Sequence, residues 1–238
     1  ALSIAGHLVN ESIPCVLFSL EMSARSIMYR LISLLGKIEL KKLFEAKNLS
    51  DSDFNEIENS LSLLSRSKFY IDDTSALSPS EILSRSRKLK RENPDLGLII
   101  IDYMQLMRAD NRNDNRVSEM SEISRSLKAL AKEIDVPVIA LSQLNRAPET
   151  RTGKKPVLAD LKDSGAIEQD ADIVTFVFRA EKYEQVPENK GLAVIDIAKH
   201  RNGPTGTVKL YFSEKYTKFE DLALDDPALK NPDFTSED

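Results

Sequence analysis

The run LIIID at residues 98–102 places a carboxylate directly behind four aliphatic residues. An uninterrupted aliphatic run of this length is typical of a strand that is buried on both faces, as strands of parallel sheets are. A charged carboxylate at the edge of such a core costs on the order of several kcal/mol unless a partner or ligand compensates it. The run therefore predicts a central strand whose last residue, Asp102, has a partner.

Short apolar runs alternate with amphipathic segments along most of the chain. This alternation predicts an α/β domain, in which a mostly parallel, twisted sheet carries helices on both faces. Only NGPTG, residues 202–206, separates the last two strands, which predicts a closing antiparallel C-terminal ribbon. Asp51 or Ser52 is the expected cap of the third helix, and Ser78 that of the fourth. Helices are predicted at 1–10, 22–36, 51–66, 78–93 and 117–134, and strands at 15–21, 68–73, 96–102, 136–143, 172–179, 192–201 and 207–212.

The net charge of −5 is concentrated near the C-terminus. Residues 219–238 contain seven acidic residues and one basic residue, a net charge of −6, so residues 1–218 carry a net charge of +1. An acidic chain is a poor match for nucleic acid, but here the acidity belongs to the terminal segment alone. We therefore predict one domain at 1–218 and an acidic, flexible tail at 219–238.

Cysteine content and the lengths of the apolar runs bear on the compartment. Cys15 is the only cysteine, which excludes an intrachain disulfide and favours a reducing, cytoplasmic location. The apolar runs are too short to cross a membrane, and no basic-then-apolar leader opens the chain, so we expect no membrane contact. No Ser, Thr, Asp or Asn precedes Ala1 as a helix cap, so we expect the first helix to begin upstream.

Polar residues follow several of the predicted strands. Because ligands of open parallel sheets bind beyond the carboxyl ends of the strands, these residues are the candidates for a site. Asp102 after an aliphatic run has the form of a Walker B acid that holds Mg²⁺, and Glu21 could polarise an attacking water. Gln143 could sense a γ-phosphate through its amide, and Lys199 and Arg201 share one face of a late strand.

Each of these residues also has a simpler explanation. Asp102 could cap a turn, Glu21 could be an acid favoured by the dipole of the following helix, and Gln143 could bond within a turn. Lys199 and Arg201 could be a solvated pair that protects an edge strand from aggregation. The residue types alone leave these alternatives open.

Five segments together resemble the C-terminal, RecA-like motor domain of the DnaB family of bacterial replicative DNA helicases. The resemblance covers nearly the whole chain before the tail, in order and with short gaps. It implies a RecA-like P-loop NTPase core and a hexameric ring that moves along single-stranded DNA by using nucleotide hydrolysis. The segments are FSLEMS (18–23), LIIIDYMQLM (98–107), EISRSLKALAKEIDVPVIALSQLNR (122–146), DLKDSGAIEQDAD (160–172) and AKHRNGPTGTV (198–208).

The resemblance implies a role for each candidate residue. It makes Asp102 the Walker B aspartate that binds Mg²⁺, Glu21 the glutamate that activates water, and Gln143 the phosphate-sensing residue. It makes Lys199 and Arg201 a basic pair that reaches the nucleotide of the neighbouring subunit as an arginine finger. All five residues are then expected to contact ATP.

The resemblance also implies a DNA-binding segment after Gln143. Five basic and three acidic residues between 143 and 165 give this segment a net charge of +2, which suits contacts to phosphates. Where many relatives have Arg and Glu in the DNA-binding loop, this chain has Lys and Asp, so we expect charge contacts rather than bidentate ones. Single-stranded DNA, a helicase loader and primase are the implied partners, at replication forks in the nucleoid. The expected DNA-binding residues are Arg146, Lys162, Asp163, Ser164 and Gly165.

One departure from the family pattern leaves two other functions open. The Gly-rich phosphate-binding loop that ends in Gly-Lys-Thr or Gly-Lys-Ser is absent from the sequence. We therefore expect the chain as given to be inactive on its own, although the natural protein hydrolyses ATP. One alternative is a different RecA-like ATPase, of the recombinase type. The other is a fragment that acts as a non-catalytic oligomerisation or partner-docking module.

Overall fold

In the computed structural model the chain forms two compact units, which divide between Gln143 and Leu144. Each unit contains one four-stranded sheet. None of the described helices is both long enough and apolar enough to span a membrane. The structure describes residues 1–110, 115–145, 155–183, 186 and 189–222.

The first unit combines α-helices with a parallel sheet. Its helices are α1 (Leu2–Asn10), α2 (Ala24–Gly36), α3 (Leu40–Glu45), α4 (Asp51–Arg66), α5 (Pro79–Glu92) and α6 (Arg116–Ile134). Its strands are β1 (Cys15–Ser19), β2 (Phe69–Asp72), β3 (Leu98–Asp102) and β4 (Val138–Ala140). The strand order is β2-β1-β3-β4, with every pair parallel. The parallel sheet predicted from the alternating pattern is confirmed.

The two central strands of this sheet are almost fully buried. Leu17 of β1 is 1% exposed and Ile100 of β3 is completely buried, and both belong to one core cluster with Ile27 and Leu31 of α2. Burial of a Leu or Ile side chain stabilises the fold by about 1.5–3 kcal/mol. The aliphatic runs therefore form the centre of the sheet, and they fix the carboxyl ends of β1 and β3 side by side.

The helix starts follow the side-chain caps of the sequence. Ser78 caps α5 as predicted, with Pro79 as the first helical residue. The predicted cap of α4 was wrong by one residue: Ser50 is the cap, because its hydroxyl accepts the N–H of Asp53 while the Asp53 carboxylate accepts the N–H of Ser50. Helix α3 was not predicted, since six residues are too few to show a helical period.

The second unit is dominated by an antiparallel sheet. Its strands are β5 (Ile173–Arg179), β6 (Leu192–His200), β7 (Gly206–Ser213) and β8 (Lys218–Asp221), and its short helix α7 is Gly165–Asp170. The strands pair in chain order, and each pair is antiparallel. The predicted ribbon is thus confirmed as β6 and β7, and it is part of a larger antiparallel sheet that also contains β5 and β8. Buried and exposed residues alternate along β5, so one face of this strand supports a small core.

Strand β8 was not predicted, because its residues were assigned to the acidic tail. It runs three residues past position 218, the predicted end of the domain. The chain after Leu222 lies outside the described residues, so the division into a domain at 1–218 and a tail at 219–238 stays a prediction.

Candidate functional site

The carboxyl ends of β1 and β3 bring Glu21 and Asp102 to the same edge of the sheet. Ser19 is the register partner of Asp102, and the N–H of Leu20 donates to the Asp102 carbonyl oxygen at 2.7 Å. The Ser19 hydroxyl then bonds both polar main-chain atoms of Met22, at 2.8 and 3.2 Å, and closes a tight turn. Glu21 lies within this turn and is exposed. The two acids that were predicted to share a site are therefore neighbours.

The carboxyl group of Asp102 is half-buried in this arrangement. Burial raises its pKa, and the negative charge of Glu21 raises it further, whereas the Ala1 amino group and the Arg30 guanidinium act in the opposite direction. Within the described part of the chain, the Asp102 carboxylate accepts no hydrogen bond and forms no ion pair within 4 Å. A half-buried carboxylate in this condition is a natural ligand for a cation. Arg30 was not among the predicted site residues, because no motif surrounds it within α2.

Gln143 follows β4 by three residues and has an exposed side chain. Strand β4 is shorter than predicted, so Gln143 lies in a loop and not at the strand end. Its main chain is held by Gln105, whose amide nitrogen donates to the Gln143 carbonyl oxygen (3.0 Å) and whose amide oxygen accepts the Gln143 N–H (3.1 Å). Gln105 was not predicted as a site residue, although it lies in the segment LIIIDYMQLM at 98–107.

Lys199 and Arg201 belong to the second unit, where both side chains reach the C-terminal end of α7. The Lys199 ammonium donates to the carbonyl oxygens of Glu168 and Gln169, and the Arg201 guanidinium donates to that of Gln169 at 3.2 Å. Arg201 also forms a 3.1 Å ion pair with Asp172. Cations at the C-terminal end of a helix are favourable, because unpaired carbonyls and the helix dipole concentrate negative charge there. The two side chains share the Gln169 carbonyl oxygen as a partner, although β6 ends at His200 and Arg201 lies in the turn after it.

The predicted DNA-binding residues are only partly described. Lys162, Asp163 and Ser164 lie in a 3₁₀ segment, Leu158–Ser164, but their side chains lie outside the described part of the structure, as does all of Arg146. Gly165 begins α7 and is exposed, and a Cβ atom there would meet nothing within 4 Å. The structure therefore places Gly165 at an open position, and all five DNA-binding assignments stay predictions.

The sequence matches the family of DnaB-like helicase C-terminal domains over residues 1–221. It is 50% identical over 211 residues to the replicative DNA helicase DnaB of Pasteurella multocida, which covers 88% of this chain and 45% of that protein. It is 46% identical over 224 residues to the replicative DNA helicase DnaC of Bacillus subtilis, with 93% of this chain and 49% of that protein covered. The chain thus spans about half the length of these relatives.

Solved structures lead to the same family. A DnaB-like replicative helicase, studied with its interactions with primase, superposes with a TM-score of 0.90 at 39% identity, over 93% of this chain and 54% of that one. A separately solved ATPase domain gives the same score and identity, over 93% of this chain and 79% of that one. The RadB recombinase, at 15% identity and a TM-score of 0.52, shares the fold alone. The chain belongs to the family of DnaB-like helicase C-terminal domains and has the α/β, RecA-like fold predicted for it.

Proposed function

We propose that the protein to which this chain belongs is an ATP-dependent replicative DNA helicase. In this proposal the chain is the motor domain of a hexameric ring that translocates on single-stranded DNA and unwinds the duplex at the replication fork. The observation that carries the proposal is the pairing of β1 with β3, which puts Glu21 beside the half-buried carboxylate of Asp102. Family membership adds that the relatives are named replicative helicases.

The residues at this edge of the sheet fit a magnesium ion bound together with a nucleotide. Among the described residues, no group of three or more His, Cys, Asp or Glu side chains could hold a metal ion alone. Mg²⁺ in nucleotide sites needs only one or two carboxylates, because water and phosphate oxygens supply its other ligands. Asp102 would provide the carboxylate. The ion would neutralise charge on the phosphates during transfer.

Each of the other candidate residues has a distinct task in this proposal. Glu21 is exposed beside Asp102, so its carboxylate can orient a water and accept its proton. The Gln143 amide can donate to a phosphate oxygen, since its side chain forms no hydrogen bond within the described residues. Lys199 and Arg201 would act on the nucleotide of an adjacent subunit, where an arginine finger contributes roughly 10³–10⁵ in rate.

The proposed DNA contacts involve the backbone of the strand and not its bases. Arg146 and Lys162 would provide positive charge, while main-chain N–H groups around Ser164 and Gly165 would bind phosphate oxygens, with Asp163 in the same loop. A helicase loader and primase are the proposed protein partners, and one structural relative was studied with primase. Cytoplasmic location at replication forks follows from this role.

Substitution of the two acids in the full-length protein tests the proposal. Asp102→Asn should weaken Mg²⁺-dependent nucleotide binding, whereas Glu21→Gln should leave binding intact and lower ATP hydrolysis by about 100-fold or more, since it removes a general base. Both variants should lose unwinding. Nucleotide binding, ATP turnover and strand separation are measured in parallel, with Asn59→Ala on the exposed face of α4 as the control. ATPase rates equal to wild type in both variants would contradict the proposed site and favour a non-catalytic docking module.

A further inference from the structure

The side chain of Gln105 forms three hydrogen bonds with the loop that contains Gln143. Its amide nitrogen donates to the Ser142 hydroxyl (2.8 Å) and to the Gln143 carbonyl oxygen (3.0 Å). Its amide oxygen accepts the N–H of Gln143 at 3.1 Å. One side chain therefore satisfies both polar main-chain atoms of Gln143, as a neighbouring strand would. Within the described residues, the Gln143 side chain itself forms no hydrogen bond.

Main-chain hydrogen bonds extend this connection back to β3. The N–H of Leu141 donates to the Ile101 carbonyl oxygen, and the N–H of Met104 donates to the Leu141 carbonyl oxygen, each at 2.9 Å. Gln105 adds its side-chain bonds two residues further along the loop. The loop after β4 is thus attached to the chain on both sides of Asp102, and Gln105 is its last attachment to this segment.

Gln105 is itself anchored at its main chain. It lies in a 3₁₀ turn, Met104–Leu106, and its carbonyl oxygen accepts a hydrogen bond from the Arg116 guanidinium at the start of α6. Arg116 is held in turn by an ion pair with Glu119 at 2.8 Å. A side chain whose backbone is fixed in this way can define a position and not merely follow one.

We propose that Gln105 is a positioning residue, which fixes the Gln143 main chain relative to the Asp102 and Glu21 carboxylates. The inference rests on the proposed nucleotide site and deepens it. A misplacement of about 1 Å in a reacting assembly can cost about 10²-fold in rate. Without its three bonds to Gln105, the loop keeps only the Leu141 hydrogen bonds to the segment around Asp102, and the Gln143 side chain samples more positions. The loss should therefore appear in kcat and not in nucleotide binding.

The test compares four variants of the full-length protein. Gln105→Met keeps the volume of the side chain and removes all three hydrogen bonds, whereas Gln105→Glu keeps only the acceptor for the Gln143 N–H. Gln143→Ala and the double variant Gln105→Met with Gln143→Ala complete a double-mutant cycle. We expect Gln105→Met to lower the kcat of ATP hydrolysis by about tenfold, with KM within about twofold, and Gln105→Glu to lie between it and wild type. The double variant should be no slower than Gln143→Ala, because Gln105 acts through Gln143.

The possible failures separate this inference from the proposed function. If Gln143→Ala is inactive while both Gln105 variants keep the wild-type kcat, the positioning role is wrong and the site stands. The role is also wrong if the effects multiply in the double variant, or if only KM changes. Full activity of Gln143→Ala would instead remove the proposed role of Gln143 and, with it, this inference. Gln105→Glu keeps the test decisive if Gln105→Met fails to fold.

Discussion

At the scale of the residue, the properties of the candidate groups come from the main chain that holds them. Asp102 is acidic by type, but its half-buried position and the neighbouring charge of Glu21 raise its pKa. The proposed role of Gln143 depends on Gln105, which binds the main chain on both sides of the Gln143 Cα. The Lys162 side chain lies outside the described residues, and its proposed role depends on its charge alone.

Replacement of Lys162 by alanine should weaken binding of single-stranded DNA about equally for all sequences. A phosphate contact carries no information about the base, and its loss should reduce the slope of log K against log salt by about 0.7. Labelled oligonucleotides of different sequence are titrated at several salt concentrations with the full-length protein. Lys41→Ala on α3, where the side chain is 75% exposed, is the matched control. An unchanged slope would show that Lys162 is an ordinary solvent-exposed residue that makes no phosphate contact.

The site residues that could be predicted from the sequence are those that a local sequence pattern marks. An acid after an aliphatic run indicates a strand end, so the sequence alone predicted that Asp102 and Glu21 lie together. The bonds from Gln105 to Gln143 connect residues 38 positions apart through a side chain and a loop, and no periodic pattern encodes them. The cap of α4 was misplaced because serine and aspartate occupy four successive positions, 50–53, and each is a good cap.

At the scale of the element, the turn between β7 and β8 is held by a cluster of charges. The Glu214 carboxylate accepts bonds from Arg179 (2.7 Å) and Lys182 (2.6 Å), and Arg179 lies over the ring of Phe212, with 4.2 Å to its centroid. The bonds to Lys182 and Arg179 lower the pKa of Glu214 to about 2. Residues predicted as the end of a ribbon are thus connected to β5 and the turn that follows it.

The Glu214 ion pairs should make the stability of the second unit depend on acid pH. Because the pKa in the folded protein is about 2, below the ordinary value of 4.5, the stabilisation is complete above pH 4.5 and is lost as the pH falls towards 2. Glu214→Gln should therefore lower the Tm near neutral pH and have little effect near pH 2. The difference should shrink in high salt, since the side chain is 60% exposed. Thermal unfolding across this pH range checks it, with Glu58→Gln on α4 as control; a constant difference would contradict the assignment.

At the scale of the whole molecule, the candidate residues are divided between two units. Glu21, Asp102, Gln105 and Gln143 belong to the first, and Lys199 and Arg201 belong to the second. The sequence did not reveal this division, because it indicates which segments are strands but not which strands pair with one another. If Lys199 and Arg201 act on a neighbouring subunit, a complete site requires residues from two chains. Oligomer formation and catalysis then become one property.

Mixed rings test whether Arg201 acts between subunits. Arg201→Ala in the full-length protein should cripple hydrolysis without emptying the nucleotide site of the same subunit. When these subunits are combined with Glu21→Gln subunits, some interfaces join an intact Glu21 to an intact Arg201. Action in trans predicts that such rings regain ATPase activity that neither variant shows alone. If mixed rings form, as shown by native mass measurement, and no activity returns, Arg201 acts within its own subunit or is structural.

The attachment of Lys199 and Arg201 to α7 has one more consequence. Their cationic groups are bound by carbonyl oxygens at the end of this short helix, and α7 begins at Gly165, the last of the proposed DNA-binding residues. If Lys199 and Arg201 act on the neighbouring subunit, they must exchange the carbonyl oxygens of α7 for a phosphate. Two ligands that compete for one group affect each other by the same factor in either direction. The conformation of the DNA-binding segment and nucleotide binding by the neighbouring subunit would then be thermodynamically coupled. A ring in which Arg201 does not act in trans would lack this coupling.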